Sequence, residues 1–219
     1  MSRREINNSS EYTMLCFLKD PSNICSLAGL LSSFTGIYFS VTGKHLYALI
    51  GVLWSVLFDW ADGIIARKLK NRTDYHKAVG AQLDSLIDIV SFSVFPAIFL
   101  LSYGKFSPVF LPGAFLIVGG GALRLSYFNV FGMIDNDTYK GLALDNNIII
   151  LSFLFIFERY FPHQVFSIII YAVMVMLLIF NLAPIRTRKF GTKWFYILVA
   201  YTVIMSVYFA CLQSASQKA

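Results

Sequence analysis

The chain has 219 residues, 57% of them hydrophobic and only 14% charged, and carries a formal net charge of +6. Soluble domains run at about 45–50% apolar and about 25% charged, so a soluble globular domain is excluded. The positive balance would suit a nucleic-acid partner, but its confinement largely to the ends and links of long apolar runs argues for no nucleic acid and for a polytopic membrane protein.

The first twenty residues, MSRREINNSSEYTMLCFLKD, place basic residues ahead of no apolar stretch before residue 12. They do not read as a cleaved signal peptide. Residues 12–19 are too short to span a bilayer and suit an interfacial amphipathic segment. Asp20 or Ser22 can cap the helix that follows, with Pro21 in its first turn. Seven spans are expected, at about 23–43, 46–66, 82–103, 107–129, 143–161, 164–184 and 194–212, each near the roughly 20 residues a bilayer requires. In the first, Gly29, Ser32, Ser33 and Gly36 are small enough to let a neighbouring helix approach closely.

With those spans, fourteen of the 18 Lys and Arg fall on one side. The positive-inside rule makes that side cytoplasmic, with the N-terminus and the 67–81 loop there; seven spans put the C-terminus outside, and a re-entrant last span would reverse that one assignment. The chain reads as a single membrane domain, 1–219, with an interfacial segment 1–20, a core 21–190, and an additional span and tail 191–219. Cys16, Cys25 and Cys211 have no metal-ligand spacing and read as inert thiols. His45, His76 and His163 read as solvated loop residues, and the 21 Phe and 12 Tyr as lipid-facing and interfacial surface.

The second span ends in FDWADGIIARKLK, and the third opens with GAQLDSLIDIVSFSVFPA. Asp59, Asp62 and Ala66 share one helical stripe; Gly80, Asp84 and Asp88 share another. The short link between the two spans makes them antiparallel neighbours, with both carboxylate pairs near the same membrane face. Four negative charges in hydrocarbon are costly and repel one another. Divalent cations between them would relieve both penalties. All-oxygen ligation suits Mg²⁺, Mn²⁺ or Ca²⁺, and the absence of His and Cys from these faces disfavours zinc.

Two such ions about 3.5–4 Å apart commonly serve phosphoryl chemistry. Arg67 could supply a fork for phosphate oxygen, Gly63, Ala66 and Gly80 leave room for a bulky ligand, and one carboxylate could accept a proton. The residues alone therefore reach metal-dependent phosphoryl or phosphodiester transfer at the membrane edge. A divalent-cation transporter using the same acids as its pathway is the rival of another class, and a silent scaffold is a third.

The string Asp59-x2-Asp62-Gly63-x2-Ala66-Arg67…Gly80-x3-Asp84-x3-Asp88 resembles the signature of the CDP-alcohol phosphatidyltransferases. The stretches DSLIDIVSFSVFPA, ALRLSYFNV and YKGL, with PSNICS around Asn23, resemble its phosphatidylserine synthase branch. This resemblance implies an all-α polytopic bundle: a six-helix core, one extra C-terminal span and an N-terminal interfacial helix. It implies two divalent ions, Mg²⁺ or Mn²⁺, held by Asp59, Asp62, Asp84 and Asp88, with Asp88 also the general base. Asn23, Gly63, Ala66, Arg67 and Gly80 would hold the CDP moiety of CDP-diacylglycerol. A small alcohol, L-serine first, would attack the lipid-side phosphorus and release CMP. Inositol phosphate, glycerol phosphate or choline are the alternative acceptors, and a homodimer is implied.

Two departures from the family pattern stand out. Twelve residues separate Arg67 from Gly80 where the family usually has about eight, an excess of about one helical turn; NRTDYHK reads as an enlarged cytoplasmic loop. After Gly141-Leu142 the chain continues ALDNN instead of prolines. Arg124 could guide the acceptor's carboxylate or phosphate, or merely snorkel to the interface. Asp145 could hold an acceptor ammonium or hydroxyl, or merely cap a helix. The RTRK run at 186–189 reads as a topology determinant or a headgroup contact.

Overall fold

A computed structural model of the chain describes residues 13–70, 72–132, 138–188 and 192–216. The interfacial expectation for 1–20 therefore falls partly outside the described residues, as do Asn71, Lys189 and the last three residues. Met14–Lys19 form a 3₁₀ turn whose Met14, Leu15 and Leu18 are exposed. Asp20 then caps α1, Pro21–Val41, accepting the Ser22 backbone N–H at 3.0 Å on Oδ1, with Pro21 in the first turn.

Helix α2, His45–Lys68, packs on α1 more extensively than any other pair of helices packs together. The small residues explain the closeness. A methyl group on Gly36 would stand 2.9 Å from the Ala48 carbonyl oxygen, and one on Gly51 would stand 2.8 Å from that of Ser32. The apolar face of α2 forms the centre of the core, with Ala48, Leu49, Val52, Leu53 and Val56 fully buried.

The link after α2 is shorter than expected. Helix α3, Asp74–Ile89, starts within the segment anticipated as an enlarged loop. Thr73 caps it, accepting the His76 backbone N–H at 3.3 Å, and Asp74 lies in the first turn, where the helix dipole favours negative charge. The extra residues thus become an added turn of helix. A π-helical stretch, Val90–Val94, joins α3 to α4, Phe95–Tyr103, and the three run as one 30-residue span. Pro96 has no N–H to donate, which frees a carbonyl one turn back and favours the wider turn at that point. Within it, Ser91 Oγ accepts from Ser55 Oγ at 3.0 Å and donates to Ser33 Oγ at 2.9 Å, tying α1, α2 and the π segment together through hydroxyls buried in the core.

Helix α5, Leu111–Phe131, precedes a short strand β1, Thr138–Lys140. Helix α6, Leu144–Leu154, covers the fifth expected span but is only 11 residues long, and a 3₁₀ stretch extends it over Phe155–Tyr160. The stretched 3₁₀ rise lets these residues reach roughly 28 Å, close to the hydrocarbon thickness of about 30 Å. Helix α7, His163–Leu182, leads to strand β2, Arg186–Arg188, and α8, Thr192–Ser216, closes the fold against α2. Trp54 on α2 donates to Ser206 on α8 at 3.2 Å. Six helical segments are long and apolar enough to cross a membrane among the described residues. The fold is the expected all-α polytopic bundle.

Arg186–Arg188 of the basic run pair antiparallel with β1, Tyr139 opposite Thr187. The turn between β1 and α6 depends on Gly141, at φ +80°, where a side chain would collide with the Asn181 carbonyl oxygen. The histidines are less solitary than their sequence contexts suggest. His45 is half-buried, its Nε2 3.1 Å from Ser102 Oγ and its ring 5.0 Å from that of Tyr103. His163 lies 4.5 Å from the same tyrosine ring, and His76 Nδ1 meets Thr73 Oγ1 at 2.7 Å.

Candidate active site

Helices α2 and α3 are joined by a short connection, and their acidic stripes converge. Asp59, Asp84 and Asp88 each offer a carboxylate oxygen within 4.8 Å of the others. The three line a cavity of about 710 Å³, whose wall also includes Asp62, Gly63, Arg67, Arg124, Tyr139, Asp145, Asn146 and Thr187. One Asp88 oxygen is buried with no hydrogen-bond partner, and an orphaned buried acceptor is costly. Clustered anionic oxygens, one of them orphaned, fit a hard divalent cation.

Asp62 borders this trio without sharing its close oxygens. It is buried, its carboxylate takes a short hydrogen bond from Ser26 Oγ on α1, and its backbone oxygen accepts from Ser22 Oγ at 3.2 Å. Gly63 faces open space: a methyl group there would have only Arg67 Nη1 within 4 Å, at 3.8 Å.

Asn23, Ala66 and Gly80 do not line the cavity. Asn23 is buried and donates from Nδ2 to the Phe17 carbonyl at 2.9 Å, fastening the 3₁₀ turn to α1. A side chain on Gly80 would meet Arg72 Nη2 at 2.5 Å and Asn23 Oδ1 at 3.1 Å. Arg72 comes from the extra residues after Arg67 and pairs with Asp20 at 2.7 Å, nearly buried. Nothing in the sequence marks Arg72, since an arginine in an insertion gives no sign that its partner lies 52 positions upstream.

The far wall comes from α5, β1, α6 and β2. Arg124 reaches it from α5, and its buried Nε has no hydrogen-bond partner. Asp145, in the first turn of α6, receives the Trp60 indole N–H at 2.7 Å. Its charge interacts with those of Arg124, Asp59 and Asp88. Asn147 points elsewhere, exchanging amide hydrogen bonds with Asn181 of α7 at 2.8 and 3.2 Å. Tyr139 and Thr187 come from the paired strands, and Thr187 Oγ1 also donates to the Gly141 carbonyl at 2.6 Å.

These helices define a class of protein: a polytopic membrane bundle with an acidic cluster on a cavity among its helices. The chain belongs to the CDP-alcohol phosphatidyltransferase family, whose model matches residues 21–216. It is 39% identical over 124 residues to an archaetidylserine synthase of Methanothermobacter thermautotrophicus, covering 56% of this chain and 51% of that protein. It is 30% identical over 183 residues to a CDP-diacylglycerol–serine O-phosphatidyltransferase of Methanocaldococcus jannaschii, covering 83% and 76%. A CDP-diacylglycerol–glycerol-3-phosphate 3-phosphatidyltransferase of Aquifex aeolicus is 32% identical over 104 residues, covering 43% and 58%. The chain thus spans about half the length of the first of these relatives.

Proposed function

We propose that this protein transfers the phosphatidyl group of CDP-diacylglycerol to L-serine and releases CMP. The observation that carries the reading is the convergence of Asp59, Asp84 and Asp88 on a cavity whose far wall also holds Arg124 and Asp145. The two serine-named relatives support the acceptor.

Asp59, Asp62, Asp84 and Asp88 are the residues that would hold divalent ions, Mg²⁺ or Mn²⁺. When bound, such ions neutralise charge on the transferring phosphate and the leaving CMP. The protein's own groups do the rest. Gly63 keeps the wall beside Asp62 open, and Arg67 offers a guanidinium fork to a phosphate. Asn23, Ala66 and Gly80, set back from the wall, shape the CDP end through the backbone they keep close. Arg124 takes the serine carboxylate and Asp145 its ammonium. Asp88 accepts the hydroxyl proton as the serine oxygen bonds to the lipid-side phosphorus, and the bond from that phosphorus to the CMP oxygen breaks. The acidic cavity faces the cytoplasm in this proposal, supported by the basic bias of that side, and the working unit is a homodimer with a core at 21–190 and an added span at 191–219.

The test gives purified protein CDP-diacylglycerol, Mg²⁺ or Mn²⁺, and a panel of labelled alcohols. Labelled phosphatidylserine with matching CMP is expected. Reaction of glycerol phosphate, inositol phosphate or choline with serine ignored would overturn the acceptor. Cation flux in vesicles with no lipid product would overturn the enzyme.

A further inference from the structure

Trp60 sits between Asp59 and Asp62 on the cavity wall, and its one polar atom is directed to Asp145 on a different helix, 85 positions away. An indole N–H donates and carries no charge. It therefore restrains an oxygen of Asp145 while leaving the carboxylate's negative charge in place, which a lysine or arginine at this position would cancel. No ion pair joins Asp145 to Arg124 among the described residues, although the two charges interact and line the same cavity. One cation and one anion thus line the same cavity with no ion pair between them among the described residues. A molecule that brings an ammonium and a carboxylate a few bonds apart satisfies both.

We propose that Trp60 is a positioning residue that aims Asp145 at the acceptor's ammonium and so restricts the acceptor to hydroxyl-bearing α-amino acids. This rests on the phosphatidyl-transfer reading above. An unrestrained carboxylate at residue 145 would instead turn among several directions in a cavity crowded with like charge. The selected acceptor would then lose its advantage over an alcohol without an ammonium. A plain helix-to-helix tie between α2 and α6 is the competing explanation, and it predicts an effect on stability alone.

The test compares Trp60→Phe, which keeps the ring and removes the N–H, with Asp145→Asn, using L-serine and glycerate, a hydroxy acid of similar shape with no ammonium. Trp60→Phe should raise the KM for L-serine roughly tenfold, the scale of a lost charge-assisted hydrogen bond, and shrink the preference for serine over glycerate. The KM for CDP-diacylglycerol should stay unchanged. An unaltered serine KM and unaltered preference, with or without a lower melting point, would overturn the proposal. If Asp145→Asn also leaves the serine KM unchanged, the acceptor site itself is misplaced; if only Asp145→Asn raises it, the fault lies with Trp60 alone. Should Trp60→Phe not fold, a Trp54→Phe/Trp194→Phe chain leaves Trp60 as the only tryptophan. Its emission should shift on adding L-serine and not on adding glycerate, and no shift with serine would overturn the proposal.

Discussion

Asp88 combines the two properties the chemistry needs: an oxygen close to those of Asp59 and Asp84, and an oxygen with no hydrogen-bond partner. Asp88→Asn preserves shape and removes both the charge and the proton acceptor. CMP release should fall by at least about 10²-fold, the lower range for loss of a general base, while the melting temperature holds or rises because like-charge repulsion is relieved. Steady-state CMP release and thermal unfolding in detergent check this pair of outcomes. The acidic positions were legible from sequence because helical spacing decides which side chains share a face. The division among them was not: Asp62 is drawn to Ser26 by a contact between helices 36 positions apart. Trp60 was invisible for the same reason, since an aromatic residue within an apolar run reads as lipid-facing until its partner is known.

At the level of elements, close packing between α1 and α2 follows from residues small enough to be read directly, Gly29, Ser32, Ser33 and Gly36. Gly51 tests how far that packing governs stability. Alanine in a helix gains about 0.5–1 kcal/mol over glycine. At Gly51, however, the added methyl group would stand 2.8 Å from the Ser32 carbonyl and 3.0 Å from the Gly36 backbone, and neither is a side chain that can swing aside. Overpacking of this kind costs typically about 1–3 kcal/mol, so the clash outweighs the propensity. Gly51→Ala should lower the melting temperature, whereas Gly119→Ala, with nothing within 4 Å, should hold or raise it. Thermal unfolding of the two variants side by side checks the sign. The paired strands and the π segment were harder to foresee. A three-residue strand has too few positions to show alternation, and Thr187 at the centre of Arg186–Arg188 finds its partner Tyr139 48 positions earlier. The 67–81 loop expected from sequence became helix from Asp74 onward because a capping threonine and a first-turn aspartate outweighed its polar composition.

For the whole molecule, the apolar content and the recurrence of long hydrophobic runs made the membrane bundle readable, and only the short fifth segment fell below ordinary spanning length. The basic bias predicts which end faces the cytoplasm. Lys70 lies beside the acidic end of α2, and Lys105 in the turn after α4, at the opposite end of the long α3–α4 span. With the three native cysteines replaced by serine, Lys105→Cys should react with a membrane-impermeant maleimide in intact cells, and Lys70→Cys only after permeabilisation. The reverse pattern would invert the orientation and move the cavity to the other face.

The account depends most on Asp59, Asp84 and Asp88 acting together as one cation-binding centre. Mn²⁺ titration of the purified protein, followed by electron paramagnetic resonance, tests this directly and without turnover. Saturable loss of the free Mn²⁺ signal is predicted for the native chain, with uptake largely abolished in Asp84→Asn and restored cation binding absent at any pH where the protein stays folded. Equal Mn²⁺ uptake by Asp84→Asn and the native protein would contradict the account.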